Sequence, residues 1–180
     1  MLESMISNAR PTRAEVTDVS HAVVSGADAV MLSGETAAGG YPVDAVEMMD
    51  RIARHTEAHL WTSGQYSLDT SEVPPIQLSQ IIGSVTARMS RDLRARAVLV
   101  VTQNGVSAHI VSSARPAAPI IAVTGNQQVF HRMSLLLGVV PIYNPEAGKA
   151  NPNELARKIA LESGLGGEGQ HVLLIRGFHE

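Results

Sequence analysis

The chain contains no cysteine, which excludes a disulfide framework and any thiolate metal centre. Aromatic residues are scarce, with two Phe, one Trp and three Tyr in 180 residues. Since 44% of the residues are hydrophobic, the core has to be built mainly from aliphatic side chains. Charge of either sign is also in short supply. A net charge of −3 and a pI near 6.1 give no electrostatic case for nucleic acid or for an anionic membrane. No apolar run approaches the length that spans a bilayer, and the opening residues around Glu3 do not resemble a signal peptide. The expectation is a soluble, cytoplasmic α/β protein, either one domain or a small domain with an appendage.

What is present is organised around Ala27–Pro42. Ala29 to Leu32 is a short unbroken apolar run, the pattern of a strand buried on both faces. It stops at the small polar residues Ser33-Gly34-Glu35-Thr36. Before it, Thr12 and Glu15 form a capping-box pattern, Val16, Val19 and Val23 recur at helical spacing, and Gly26 supplies a stop. After it, Pro42 suits a first helical position, and Val43, Val46, Met49 and Ile52 form a stripe running to about Leu60. Residues 1–61 therefore read as helix–strand–helix, and 62–75, with Gly64 and Pro74-Pro75, as a linker. Over 76–180 a long amphipathic helix (Leu78, Ile82, Val85, Met89, Leu93) is followed by regular alternation. Strands are expected at 97–101, 120–123, 139–143 and 172–175, with helices at 107–113, 127–137 (stopped by Gly138) and 153–163 (stopped by Gly164). Asn151-Pro152-Asn153-Glu154 provides a cap, a proline and a first-turn carboxylate for the last helix. This alternation implies an α/β fold with a doubly wound, mostly parallel sheet of about four strands.

Three segments, Met1-Leu2-Glu3-Ser4-Met5, Arg10-Pro11-Thr12-Arg13-Ala14-Glu15 and Met31-Leu32-Ser33-Gly34-Glu35-Thr36-Ala37, occur in the order found in pyruvate kinase, and the chain closely resembles that family. The resemblance implies that residues 1–61 come from the end of a (βα)8 catalytic barrel and 76–180 form the family's carboxyl-terminal domain. It also implies that most catalytic residues, including the substrate-binding Arg and Lys, the metal-binding Glu and Asp and a substrate-contacting Thr, belong upstream of Met1. The parent would use Mg²⁺ and K⁺, and no cofactor is expected on this segment itself.

Candidate site residues fall in two places. Ser33 and Glu35 lie at what the family makes the mouth of the active site. Ser33 there would join a hydroxyl–water relay carrying a proton to the enolate; otherwise the pair fixes loop geometry through side-chain to backbone bonds. Thr102-Gln103-Asn104-Gly105-Val106-Ser107 joins a strand to a helix amino terminus, a geometry that suits an anion. The family's loop there usually reads Thr-Lys-(Ser/Thr)-Gly-Arg-Ser and holds a phosphate of a sugar-phosphate effector. Thr102, Gly105 and Ser107 match, whereas Gln103 and Val106 replace both cations. The turn is thus either a weakened anion site or an ordinary βα connection.

Other constellations are weaker. His55 and His59 share a helix face without a third ligand, so solvated surface histidines are expected. Gly164–Gly169 formally satisfies G-x-G-x-x-G, but it follows a helix and precedes a strand, the reverse of a dinucleotide site. Arg88, Arg91, Arg94 and Arg96 read as a solvated, dipole-compensating face. The function implied is a regulatory and assembly segment of a phosphotransferase that moves phosphate from phosphoenolpyruvate to ADP. The alternatives are a free-standing non-catalytic module binding a phosphorylated metabolite or a protein partner, and an inactive product of a truncated gene. Self-association is expected from the apolar faces of residues 1–60 and from the edge of the strand at 172–175, as a dimer here and a tetramer for the parent.

Overall fold

The computed structural model describes residues 1–64, 76–147, 149, 151–165, 167 and 169–176. The chain divides into two compact units, Met1–Leu68 and Asp69–Glu180. Of the linker expected over 62–75, Thr62 closes a helix, and residues 65–75 lie outside those described.

The first unit is helical. A 3-10 turn, Glu3–Ile6, leads into α1 (Arg13–Val24), the single-turn α2 (Gly34–Ala37) and the long α3 (Pro42–Thr62). Thr12 and Glu15 make the reciprocal capping box, each side chain accepting the other residue's backbone N–H. Gly26, at φ 83°, ends α1 in the left-handed region that suits glycine. Leu2, Met5, Val19, Ala45, Met49 and Ile52 form the core, with Val16, Val30, Leu32 and Met48 packed around it. The buried face of α3 is Ala45, Met49, Ile52, Thr56 and Leu60. Val43 and Val46, expected on that face, point outward at 67% and 52% exposure.

The strand expected over Ala29–Leu32 is not formed. The segment alternates as a strand would, with Val30 and Leu32 turned to the core and Ala29 and Met31 exposed. Among the described residues of this unit, however, the other elements are helices, so its backbone has no ladder to join. Burial on both faces requires neighbours on both sides, and here only one face has them.

The second unit is a three-layer α/β sandwich. α4 (Leu78–Asp92) is followed by β1 (Ala97–Val101), α5 (Val106–Ser113), β2 (Ile120–Thr124), α6 (Gln127–Met133), β3 (Val139–Tyr143), α7 (Pro152–Glu162) and β4 (Val172–Arg176). The four strands pair in parallel in the order β3-β2-β1-β4, with Val98 opposite Ile120 and Leu173. The expected doubly wound parallel sheet is therefore present. Alternate strand residues feed two cores. Val98, Val100, Ile120 and Ala122 meet Ala108, Val111, Val129 and Met133 of α5 and α6 on one side. Ala97, Leu99, Ile121 and Val123 meet Leu155, Ala156, Ile159 and Ala160 of α7 on the other. α6 is shorter than the 127–137 expected, because the chain leaves the helix after Met133 through successive tight turns at Ser134 to Leu136.

α4 reverses the expected orientation of its stripe. Its buried residues are Gly83, Thr86, Ala87 and Ser90. A Cβ on Gly83 would stand 3.2 Å from the Ile110 carbonyl oxygen and 3.3 Å from the Ala114 Cβ. Small residues thus let α4 lie close against α5. The larger Leu78, Val85, Met89 and Leu93, expected inward, are exposed, as is Ile81, and Ile82 is half-buried.

Candidate functional site

The two candidate sites lie in different units. In the first, the chain after Leu32 turns into α2, with Ser33 as the N-cap residue. An N-cap serine ordinarily spends its side-chain oxygen on a backbone N–H of the first turn. Here the Ser33 side chain makes no capping bond, and the residue is exposed. Glu35 takes over the local hydrogen bonding. The residue is 3% exposed, and its Oε2 accepts the Ser33 N–H at 2.8 Å. Its Oε1 accepts the Leu2 N–H at 2.9 Å and the Met1 amino group at 3.2 Å. The N–H groups of Ser33, of Glu35 itself and of Leu2 together outweigh the opposing effect of burial, with the Met1 amino group adding to them. They hold the carboxyl down to about 2.

Glu15 grips the same opening segment from another side. One oxygen accepts the Ser4 N–H at 2.7 Å, while the other accepts the Ser4 hydroxyl together with the N–H and hydroxyl of Thr12. Burial acts to raise this carboxyl, but the bonds from Ser4 and Thr12 overcome it and bring it to about 2. The three sequence segments singled out above therefore converge. Glu15 and Glu35, from the second and third, hold the backbone of the first. The capping box was legible from Thr12-x-x-Glu15, but the further load of that carboxylate on Ser4, 11 residues away, was not.

The second candidate is the β1–α5 connection. With strand order β3-β2-β1-β4, the chain leaves β1 toward β2 while β4 lies on the opposite side. The turn after β1 therefore stands at the sheet's topological switch point, where ligands of open α/β sheets bind. Gly105, at φ 87°, is the N-cap. Thr102 Oγ1 accepts the Gly105 N–H at 3.0 Å and Asn104 Oδ1 accepts the Val106 N–H at 3.1 Å. Two of the amides expected to face an anion are thus engaged within the turn. Thr102 and Ser107 are buried, whereas Gln103 and Asn104 are exposed. Arg132 of α6 donates through Nη2 to the Asn104 carbonyl at 2.6 Å, which brings a guanidinium over a turn that carries no cation of its own. Sequence reasoning missed Arg132, because it lies 28 residues beyond the turn and on a different element.

The remaining constellations are surface features. His55 and His59 are exposed on α3, and Arg88 bridges Asp92 at 3.6 Å in the open. Within Gly164–Gly169, residues 166 and 168 lie outside those described. No described helix is long and apolar enough to cross a membrane.

Comparison with known proteins gives consistent matches. Residues 1–46 match the family model described as pyruvate kinase, barrel domain, and residues 80–180 the one described as pyruvate kinase, alpha/beta domain. The chain is 42% identical over 181 residues to a pyruvate kinase of Geobacillus stearothermophilus, covering 98% of this chain and 30% of the relative. It is 37% identical over 186 residues to one of Dictyostelium discoideum, covering 100% and 36%. Among solved structures, a pyruvate kinase of Cryptosporidium parvum superposes with a TM-score of 0.80 at 33% identity, over 98% of this chain and 36% of that one. The chain spans only 30% and 36% of the length of these two curated relatives.

Proposed function

The chain belongs to the pyruvate kinase family, and we propose that it is the carboxyl-terminal part of an enzyme that transfers phosphate from phosphoenolpyruvate to ADP, giving pyruvate and ATP. The observation that carries the reading is continuity. The barrel and α/β pieces of the family occur in order on one chain that aligns along essentially its whole length with about a third of each relative. Within that enzyme, which we place in the cytoplasm, this part serves regulation and assembly. The family implies Mg²⁺ and K⁺. Among the described residues no three His, Asp or Glu side chains gather into a set that would hold a metal ion, so no step of this proposal runs through these ions here.

Regulation is assigned to an anionic effector, such as a sugar phosphate, at Thr102, Gln103, Asn104, Gly105 and Ser107. The switch-point position and the nearby Arg132 guanidinium support that assignment. Assembly is assigned to pairing of like chains. The exposed stripe Leu78, Ile81 and Val85 supports it, set in a stretch, residues 76–87, without a single charged side chain. An isologous contact brings the same patch face to face, and an uncharged patch does so without like-charge repulsion.

A coupled assay with phosphoenolpyruvate, ADP, Mg²⁺ and K⁺ tests the central reading. Residues 1–180 alone are expected to give no turnover, and joining them to the upstream two thirds of the reading frame is expected to restore it. Turnover by this chain alone, or none by the joined protein, overturns the proposal.

A further inference from the structure

Two features of the Ser33 turn bear on each other. The serine occupies an N-cap, yet its hydroxyl does no capping and the residue is exposed. The neighbouring Glu35 is almost fully buried, and its two oxygens are taken by backbone N–H groups from both sides of the site. Ser33 itself is bound at 2.8 Å and Leu2, 33 residues away in sequence, at 2.9 Å. A carboxylate so engaged has little freedom to exchange protons with a substrate. It is well placed to fix two backbone segments relative to each other, because each oxygen serves a different one.

We propose that Glu35 is a positioning residue that acts through Ser33: its carboxylate ties the Ser33 backbone to the Met1–Leu2 segment and so sets where the uncommitted Ser33 hydroxyl stands. This inference rests on the proposed function, together with the proton-relay role that the resemblance implies for the Ser33 hydroxyl. The geometry separates the roles of the two residues. Ser33 is exposed, whereas Glu35 is buried with each carboxylate oxygen accepting a backbone N–H. Glu15 holds Ser4 from the other side of the same segment, so the Leu2 end of the tie is itself anchored.

Glu35→Gln tests the idea with little change of shape. The amide keeps one acceptor oxygen but turns an NH₂ donor toward one of the two N–H groups. In the 180-residue chain, hydrogen exchange of the Leu2 and Ser33 amides is expected to speed up about 10-fold or more beyond any rise shared by α1 and α3. Unchanged exchange at Ser33, or a uniform rise across the unit, overturns the proposal.

In the longer protein that the family reading requires, Glu35→Gln is expected to lower kcat about 10-fold or more, with KM for phosphoenolpyruvate held within about twofold. The deciding measurement is the double variant. If Glu35 acts through Ser33, Glu35→Gln costs little further once Ser33→Ala is present, whereas a purely structural contribution gives additive losses and refutes the inference. A wild-type longer protein without turnover would refute the family reading instead, and the exchange measurement would still decide the positioning role.

Discussion

Acid is expected to weaken the Met1–Leu68 unit through Glu35. This carboxyl titrates at about 2 in the folded chain against an ordinary value of 4.5. A depressed folded value means that the stabilisation is fully present above about 4.5 and drains away as pH falls toward 2. At roughly 1.36 kcal/mol per pH unit the whole effect is about 3 kcal/mol, of which about 2 kcal/mol is gone by pH 3. Glu15 adds in the same direction and over the same range, though less, because it is partly exposed and solvent screens it. A unit of this size holds on the order of 3–10 kcal/mol in total, so the loss is a large fraction. Trp61 makes the measurement selective, since it is the only tryptophan in the chain and lies in α3. Urea titrations followed by its emission at pH 7 and pH 3 should show the midpoint falling by about 2 M, taking a slope of about 1 kcal/mol per molar for a small unit. Glu35→Gln, with no carboxylate to protonate, should be less stable at pH 7 and lose much less on acidification. A midpoint that does not move between the two pH values, or a variant with the wild-type pH dependence, would refute the reasoning.

Three further outcomes are expected. Ser90 is 1% exposed, and its oxygen accepts the N–H groups of Ala117 and Ala118 at 2.8 and 3.3 Å; Ser90→Ala should therefore cost about 1–3 kcal/mol, read from amide exchange in β1 and β2. Val85→Glu with Ile81→Glu, on the exposed face of α4, should leave helix content intact and reduce the light-scattering mass to that of a monomer; a wild-type chain already monomeric at tens of micromolar would contradict the assembly assignment. Placing two cations in the Thr102–Ser107 turn by Gln103→Lys and Val106→Arg should tighten fructose bisphosphate binding at least about 10-fold by calorimetry, and no gain would remove this turn as a proposed anion site.

The strands of the second unit were legible because each is a short aliphatic run closed by turn residues, and the parallel sheet followed from their alternation with helices. Ala29–Leu32 has the same local signature and formed no strand in its unit. Pairing depends on neighbours that a local pattern does not supply. α4 misled for a different reason. Its apolar stripe is real, but Gly83, Thr86, Ala87 and Ser90 give the closer fit to α5, so the larger side chains were left outside. Sequence placed Ser33, Glu35 and the Thr102–Ser107 turn without revealing what touches them. The distant partners, Leu2 for Glu35 and Arg132 for Asn104, lie 33 and 28 residues away, and only the fold brings them together.

The strand order also governs the path by which the second unit assembles. Val98 meets Ile120 across 22 residues of chain but meets Leu173 across 75. Local closure of β1, α5, β2, α6 and β3 requires only short loops, whereas seating β4 beside β1 closes one more than three times as long. The entropy of that closure has to be met before the contacts form. The residues of β1, buried from Ala97 to Val100, therefore keep one open flank until β4 arrives. Any state in which β1 has joined β2 before β4 is seated leaves this central hydrophobic strand as an edge, open to mispairing with another copy.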